Sequence, residues 1–246
     1  MVKKRTIYLI LTLIMLMIIV IGILVLQKKI KITPVFAGRF EIRGVDVSHY
    51  QGTIDWPILA GQDLDFAYIK ATEGSGHVDE CFADNWQEAG KTDLYIGAYH
   101  FFSFESEGAK QAQFYIDMVG SLHGKLAPVV DVEFYGDKGS NPPPKDEVVK
   151  QLRKMLETLE ERYQVKPVIY TTYQVYHHYI REEFMDYPLW IRNVYYQPLA
   201  AGNGWTFWQY SDTTVLEGYQ GSEQYIDMNV FRGNGEELQK YVVQCE

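Results

Sequence analysis

Cysteine is scarce in this chain of 246 residues: Cys81 and Cys245 are its only two. Two thiols do not make a disulfide scaffold, and neither has a neighbour at metal-ligand spacing, so whether they pair stays open at this level. Basic charge is scarce too, once the N-terminus is set aside. Six of the 23 Lys and Arg residues fall within residues 1–31, which hold no acid, so the rest carries 17 bases against 32 acids, a formal charge of −15. That balance excludes a nucleic-acid-binding surface. A Gly-rich phosphate loop is missing, Gly97-Ala98-Tyr99-His100 is not a nucleophile elbow, and His49, His100, His177 and His178 do not join an acid cluster at ligand spacing. No metal or cofactor is therefore expected. From Gly44 onward the one linker-like stretch is GDKGSNPPP, Gly136 to Pro144, which favours a single continuous domain.

What is present begins with an apolar run. Thr6 to Leu26 holds 21 residues without a charge, close to the roughly 20 that span hydrocarbon as a helix. A signal peptide has a shorter apolar region, about 7–15 residues, with a small-residue cleavage site close behind. Here Lys28, Lys29 and Lys31 follow instead, and Val35-Phe36-Ala37, sized like a cleavage site, lies well past the run. The expected organisation is a short cytoplasmic tail over 1–5, a transmembrane signal-anchor over 6–26, a linker over 27–40 and a catalytic domain over 41–246. Lys3, Lys4 and Arg5 oppose the lysines beyond the span, so positive-inside counting hardly discriminates orientation.

With 47% hydrophobic and 15% aromatic residues the remainder can bury a large core. Eight runs rich in β-branched or aromatic residues read as strands: 42–48, 65–71, 94–102, 126–133, 167–172, 188–193, 205–211 and 225–231. Helical character falls between the first six, around 55–61, 82–90, 106–119, 145–163 and 173–185. In the fourth of these Val148, Val149, Leu152, Met155, Leu156 and Leu159 recur at helical spacing. Alternating strand and helix imply an α/β fold with a parallel sheet, and eight strands suggest closure into a TIM-like barrel with about five outer helices and an irregular final third.

The pattern PVVDVEF, Pro128 to Phe134, places two acids in an apolar strand. Alternate strand residues face the same way, so Asp131 and Glu133 share a face with Val129. By the same parity Asp46 opposes Val45 and Val47, and Asp227 with Asn229 opposes Ile226, Met228 and Val230. The first, fourth and eighth strands thus turn acids inward near their C-terminal ends, the rim where barrel active sites are built. Each acid alone is more often a satisfied structural group. Two clustered carboxyls in an apolar run, however, carry desolvation and repulsion, and the same terms raise a pKa as a general acid requires. Paired acids among aromatics fit sugar hydrolysis. Tyr50, Tyr99, Phe101, Tyr170, Trp190, Trp208 and Tyr210 lie in or beside the strands, and some are expected to stack on sugar faces.

These residues resemble the family-25 glycoside hydrolases, the Chalaropsis-type lysozymes (N-acetylmuramidases). The resemblance is carried by Gly44-Val45-Asp46-Val47-Ser48-His49 with Ile54-Asp55-Trp56, by Ile69-Lys70-Ala71-Thr72-Glu73-Gly74, by Gly97 to Phe102 and by Asp131-Val132-Glu133. Leu189-Trp190-Ile191, Trp208-Gln209-Tyr210-Ser211-Asp212 and Ile226-Asp227-Met228-Asn229 complete it. It implies cleavage of the β-1,4 bond between N-acetylmuramic acid and N-acetylglucosamine in peptidoglycan, on a barrel with fewer helices than a regular (β/α)₈ fold. Glu133 matches the general acid, Asp131 the partner that steers the substrate's N-acetyl oxygen, and Asp46 and Asp227 the remaining acids. Tyr99, Tyr170, Trp190, Trp208 and Gln209 are the expected substrate contacts. Tyr50 stands where a second histidine is common, and Arg192-Asn193-Val194 where a small residue often follows Trp190-Ile191. The expected partners are glycan strands of the wall and, through one helix, the membrane, with the catalytic domain on the extracytoplasmic side facing the wall. Two rivals remain: a non-catalytic, membrane-tethered wall-binding protein and a chitinase-like glycosidase, in which further aspartates precede the acid pair where Ala127 and Val129 stand here.

Overall fold

The computed structural model describes residues 2–27, 29–198 and 204–245. Eleven strands occur among them: β1 (Arg43–Val47), β2 (Thr53–Ile54), β3 (Phe66–Glu73), β4 (His77–Val78), β5 (Tyr95–Phe101), β6 (Val129–Val132), β7 (Val168–Thr172), β8 (Leu189–Arg192), β9 (Phe207–Thr214), β10 (Tyr219–Gln220) and β11 (Ile226–Phe231). Eight of them close a barrel in the order β1-β11-β9-β8-β7-β6-β5-β3, with β3 returning to β1. β4 only extends the edge of β3, while β2 and β10 form a separate ribbon.

The barrel is mixed, not wholly parallel. β11 runs antiparallel to both neighbours, β1 and β9. Parallel neighbours need a crossover of about a dozen residues or more, usually helical, and the short link from Thr214 to Ile226, part of it spent on β10, holds no helix. The reversal moves Asp227 to the start of its strand instead of its end. It reaches the same rim nonetheless, because the start of β11 lies beside the end of β1, with Asp46 paired to Asp227.

Outside the strands pack α3 (Trp56–Ala60), α4 (Phe82–Ala89), α5 (Gly108–Val119) and α6 (Lys145–Tyr163). α6 buries Val148, Leu152, Met155, Leu156, Leu159 and Tyr163 on one stripe, and Asp146 and Glu147 in its first turn oppose Arg162 in its last, complementing the helix dipole. The helix expected over 173–185 is shorter. α7 (Tyr173–Val175) passes into a π turn over Tyr176–Ile180, closed by the Arg181 amide on the Tyr176 carbonyl at 2.9 Å, and regular winding stops there. A last short helix, α8, covers Gly235–Leu238.

Two further helices lie at the N-terminus. α1 (Val2–Leu26) is apolar, and within Lys4–Leu26 an 18-residue window has a mean hydropathy of 3.4. α2 (Thr33–Ala37) falls inside the stretch expected as a linker and is packed, with Thr33 and Ala37 buried. Phe40 meets the rings of Trp205 and Trp208 edge-on at 5.2 and 6.3 Å.

Strand parity sorts the core into two layers. Val45, Val47, Val130, Val132, Ile169, Ile191, Met228 and Val230 point outward beneath the helices. Phe66, Tyr68, Val129, Val168, Tyr170, Trp190, Phe207 and Phe231 fill the barrel. The Trp190 ring lies 5.1 Å from those of Tyr68 and Tyr170 and 5.7 Å from Phe207, so an aromatic plug closes the lower barrel. Its bulk leaves no room for a side chain at Gly44 or Gly97. A Cβ on Gly44 would come within 2.4 Å of the Phe66 carbonyl oxygen, and one on Gly97 within 2.3 Å of the Tyr68 ring. Cys81 and Cys245 are both free thiols.

Gly44→Ala is expected to destabilise the barrel by about 1–3 kcal/mol, read as a lower urea midpoint at unchanged m-value; an unchanged midpoint would show that β1 and β3 can separate.

Candidate active site

Above the aromatic plug, six of the eight barrel strands turn polar side chains inward. β1 contributes Asp46, β3 Lys70, β6 Asp131 with Glu133 just beyond it, β8 Arg192, β9 Gln209, and β11 Asp227 and Asn229. They line or underlie a cleft of about 390 Å³ at the rim where the parallel strands end. Tyr99, Phe101, Tyr170 and Trp190 form its apolar walls, and Tyr50 and Tyr225 stand at its mouth, exposed by 55% and 38%.

Asp46 is the fixed point of this arrangement. Its Oδ2 accepts from Gln209 Nε2 at 3.0 Å and from Asn229 Nδ2 at 2.7 Å. Gln209 Oε1 in turn accepts from the Tyr170 hydroxyl at 2.9 Å, and Asn229 Oδ1 from Trp190 Nε1 at 2.9 Å. Tyr170, Trp190 and Gln209, expected as substrate contacts, therefore also form the chain that holds one carboxylate in place. Asp131 is treated differently: it is buried, and its Oδ1 has no hydrogen-bond partner among the described residues.

Burial raises all four carboxyl pKa values, and neighbouring acids raise those of Asp131, Glu133 and Asp227 further. Burial is the largest cause for Asp131, followed by the charges of Glu133 and Asp46, while Lys70 opposes; its pKa lies well above the ordinary range. Asp46 is raised by burial and restrained by its two amide donors and Arg192. Glu133 is pushed up to about 7 by burial, against the pull of Arg192, and Asp227 up to about 8 by burial and the neighbouring Asp46. Glu133 and Asp227, so displaced, hold protons near neutrality, as acid catalysis requires.

Two residues matter more than their sequence context implies. Arg192, noted there only as a departure in a motif, shares the face of Trp190 two positions on, so strand parity does find it. Asp212 escapes parity. Gln209 pairs with Asn229 and Ser211 with Met228, a bulge that sets two residues against one and breaks the alternation along β9. Asp212 thereby lines the cleft and accepts from Arg192 Nη2 at 2.7 Å.

Trp208 does not reach the cleft. It lies on the opposite face of β9, fully buried, and its Nε1 donates to the Asn193 carbonyl at 2.8 Å. Parity required this, since its neighbours Phe207 and Gln209 point inward. His100 is likewise structural, buried between Thr72 Oγ1 at 2.7 Å and Gln111 Oε1 at 3.0 Å and pushed down to about 4 by burial, hence neutral. His49 Nδ1 pairs with Asp79 at 2.8 Å beside the cleft.

A closed barrel whose rim gathers carboxyls over an aromatic floor defines a glycoside hydrolase by class. Residues 45–219 match the family model "Glycosyl hydrolases family 25", and the chain belongs to that family. A family 25 glycosyl hydrolase from Bacillus anthracis has a similar structure, with a TM-score of 0.78 and 49% identity over 83% of this chain and 94% of that one. The bacterial lysozyme of Streptomyces coelicolor superposes at a TM-score of 0.74 with 28% identity, covering 84% of this chain and 98% of that one. In sequence, Lysozyme M1 of Streptomyces globisporus is 31% identical over 218 residues, 80% of this chain and 70% of the relative.

The raised pKa values have a cost in stability. With folded values near 7 and 8, Glu133 and Asp227 keep protons that the unfolded chain has released. The native state then binds more protons than the unfolded one, so stability falls as pH rises from about 4 through 8. Asp227→Asn removes one such group and is expected to raise the melting temperature at pH 8 more than at pH 5; equal shifts at both pH values would argue against a raised Asp227.

Proposed function

We propose that this chain is a muramidase, hydrolysing the β-1,4 bond between N-acetylmuramic acid and N-acetylglucosamine of peptidoglycan at the outer face of a membrane to which α1 anchors it. The observation that carries the reading is the pairing of Glu133, a carboxyl that is protonated near neutrality and opens on the cleft, with Asp131, which lines the same cleft from the same strand face. A carboxylate there accepts the N–H of a 2-acetamido group, and both sugars of the wall glycan carry one.

The chemistry follows from that placement. The Asp131 carboxylate accepts the acetamido N–H and turns the carbonyl oxygen towards the anomeric carbon. As that oxygen forms its bond to the carbon, the glycosidic C–O bond breaks and Glu133 gives its proton to the departing oxygen. Asp131 and Asp46 face the positive charge that develops. Water then adds to the same carbon and its proton returns to Glu133, which restores the acetamido group and the enzyme. Asp46 and Arg192 act oppositely on Glu133, the first tending to raise its pKa and the second to lower it.

An acidic body gains no long-range attraction to an anionic wall. Hydrogen bonds to acetamido groups and the faces of Tyr99, Phe101, Tyr50 and Tyr225 supply recognition instead. The anchor reading rests on the composition of α1, whose residues 6–26 rise by about 31 Å at about 1.5 Å each, matching the roughly 30 Å hydrocarbon core.

Wild-type protein is expected to solubilise purified cell walls and to generate new muramic acid reducing ends, identified by mass spectrometry. Glu133→Gln is expected to lower kcat by about 10²–10⁴-fold while KM stays within a few fold. New glucosamine reducing ends would mean another bond is cut, and walls left intact by the wild type at every pH would refute hydrolysis.

A further inference from the structure

The stretch between the apolar span and the barrel is docked along much of its length. At its start the Lys29 amide still donates to the Leu24 carbonyl at 2.8 Å, so the chain remains wound on the end of α1. Two residues later Lys31 Nζ donates to Asp212 Oδ1 at 2.5 Å and to Thr213 Oγ1 at 3.4 Å. The Ile32 amide then donates to the Tyr195 carbonyl at 3.0 Å and Thr33 Oγ1 to the Val194 carbonyl at 3.3 Å. Arg39 bonds Gln197, and Phe40 closes on Trp205 and Trp208. That last contact explains what Trp208 does on the outer face of β9.

The place of docking matters as much as its strength. Asp212 lines the cleft, and its other oxygen holds Arg192, the cation among the catalytic carboxyls. The chain therefore leaves the membrane helix directly beneath the active-site rim. From Leu26 to Lys31 five residues reach at most about 18 Å. Val25, in the last turn of α1, is buried although the turns before it are exposed. On the outer side of α2, Val35 is 80% exposed, an apolar residue facing away from the barrel where the bilayer surface would lie.

We infer that residues 31–40 are a strut that fixes the cleft at the membrane face, so that the substrate is glycan lying at the bilayer, strands still joined to their lipid carrier, and not the bulk wall beyond reach. A free linker of the same length would let the barrel range outward; a docked one does not. The inference rests on the muramidase and anchor readings, and it deepens them by naming which glycan is cut.

The test uses the full chain in proteoliposomes, with two probes: glycan oligomers on a polyprenyl pyrophosphate carrier in the same vesicles, and purified wall sacculi added outside. Wild type is expected to cleave the lipid-linked oligomers at least tenfold faster than it solubilises sacculi. A 40-residue Gly/Ser insertion between Lys29 and Ile30, with an r.m.s. reach of about 35 Å, is expected to raise sacculus solubilisation at least tenfold. The same insertion between Phe40 and Glu41 leaves the strut docked and is expected to change it by less than twofold. Equal gains from both insertions, or a wild type that digests both probes alike, would overturn the strut. All three proteins are also assayed in detergent on both probes, where equal rates are expected. If wild type in detergent cuts neither, the muramidase reading itself fails and the strut inference falls with it.

Discussion

One oxygen ties the site together. Asp46 Oδ2 receives the amide donors of Gln209 and Asn229, which are themselves fixed by Tyr170 and Trp190, so β1, β7, β8, β9 and β11 all converge on a single carboxylate. None of these groups is free to turn without leaving a buried polar atom unpaired, a cost comparable to a sizeable fraction of a domain's net stability. The aromatic plug beneath supplies the rigidity. Gly44 and Gly97 admit it by having no side chain, and Trp190 belongs to both layers, its ring in the plug and its N–H in the network.

Against that rigid floor the remaining acids are held in an uncomfortable state. Asp131, Glu133 and Asp227 crowd one cleft in which Lys70 and Arg192 are the opposing cations, and burial pushes every carboxyl upward. A chain selected for stability alone would not keep them there. What the crowding supplies is a carboxylic acid near neutrality in the cleft, the protonation state that acid catalysis of glycoside cleavage requires.

The acidic body and the apolar N-terminus also belong to one design. Long-range charge does not draw this enzyme to an anionic polymer, so under the proposed anchoring its encounter with substrate would depend on where α1 holds it. Lys31, one of the few bases of the N-terminal segment engaged by the barrel, meets the cleft through Asp212. The same carboxylate holds the Arg192 that faces the catalytic acids.

Much of this was legible from residue pattern. Period-two alternation placed Asp46, Asp131, Glu133 and Asp227 on one face, and it placed Val130, Val132 and Met228 on the other, because a closed barrel leaves each strand only an inside and an outside. The same rule, applied strictly, also placed Trp208 outside between the inward Phe207 and Gln209; reading it as a sugar platform overlooked its parity. Other features were decided only in three dimensions. The direction of β11 depends on the length of a link and on which strands close the barrel. Asp212 reaches the cleft through a bulge that local sequence does not announce. The docking of residues 31–40 is a contact between segments more than 150 positions apart in the chain, made by Lys31 on Asp212 and Thr33 on Val194. Periodicity is a local property, set by the geometry of one strand, and so the sequence by itself determined which side chains share a face. Which strand lies beside which, and what residues 31–40 rest on, are set by packing between distant segments, and only the tertiary structure decided them.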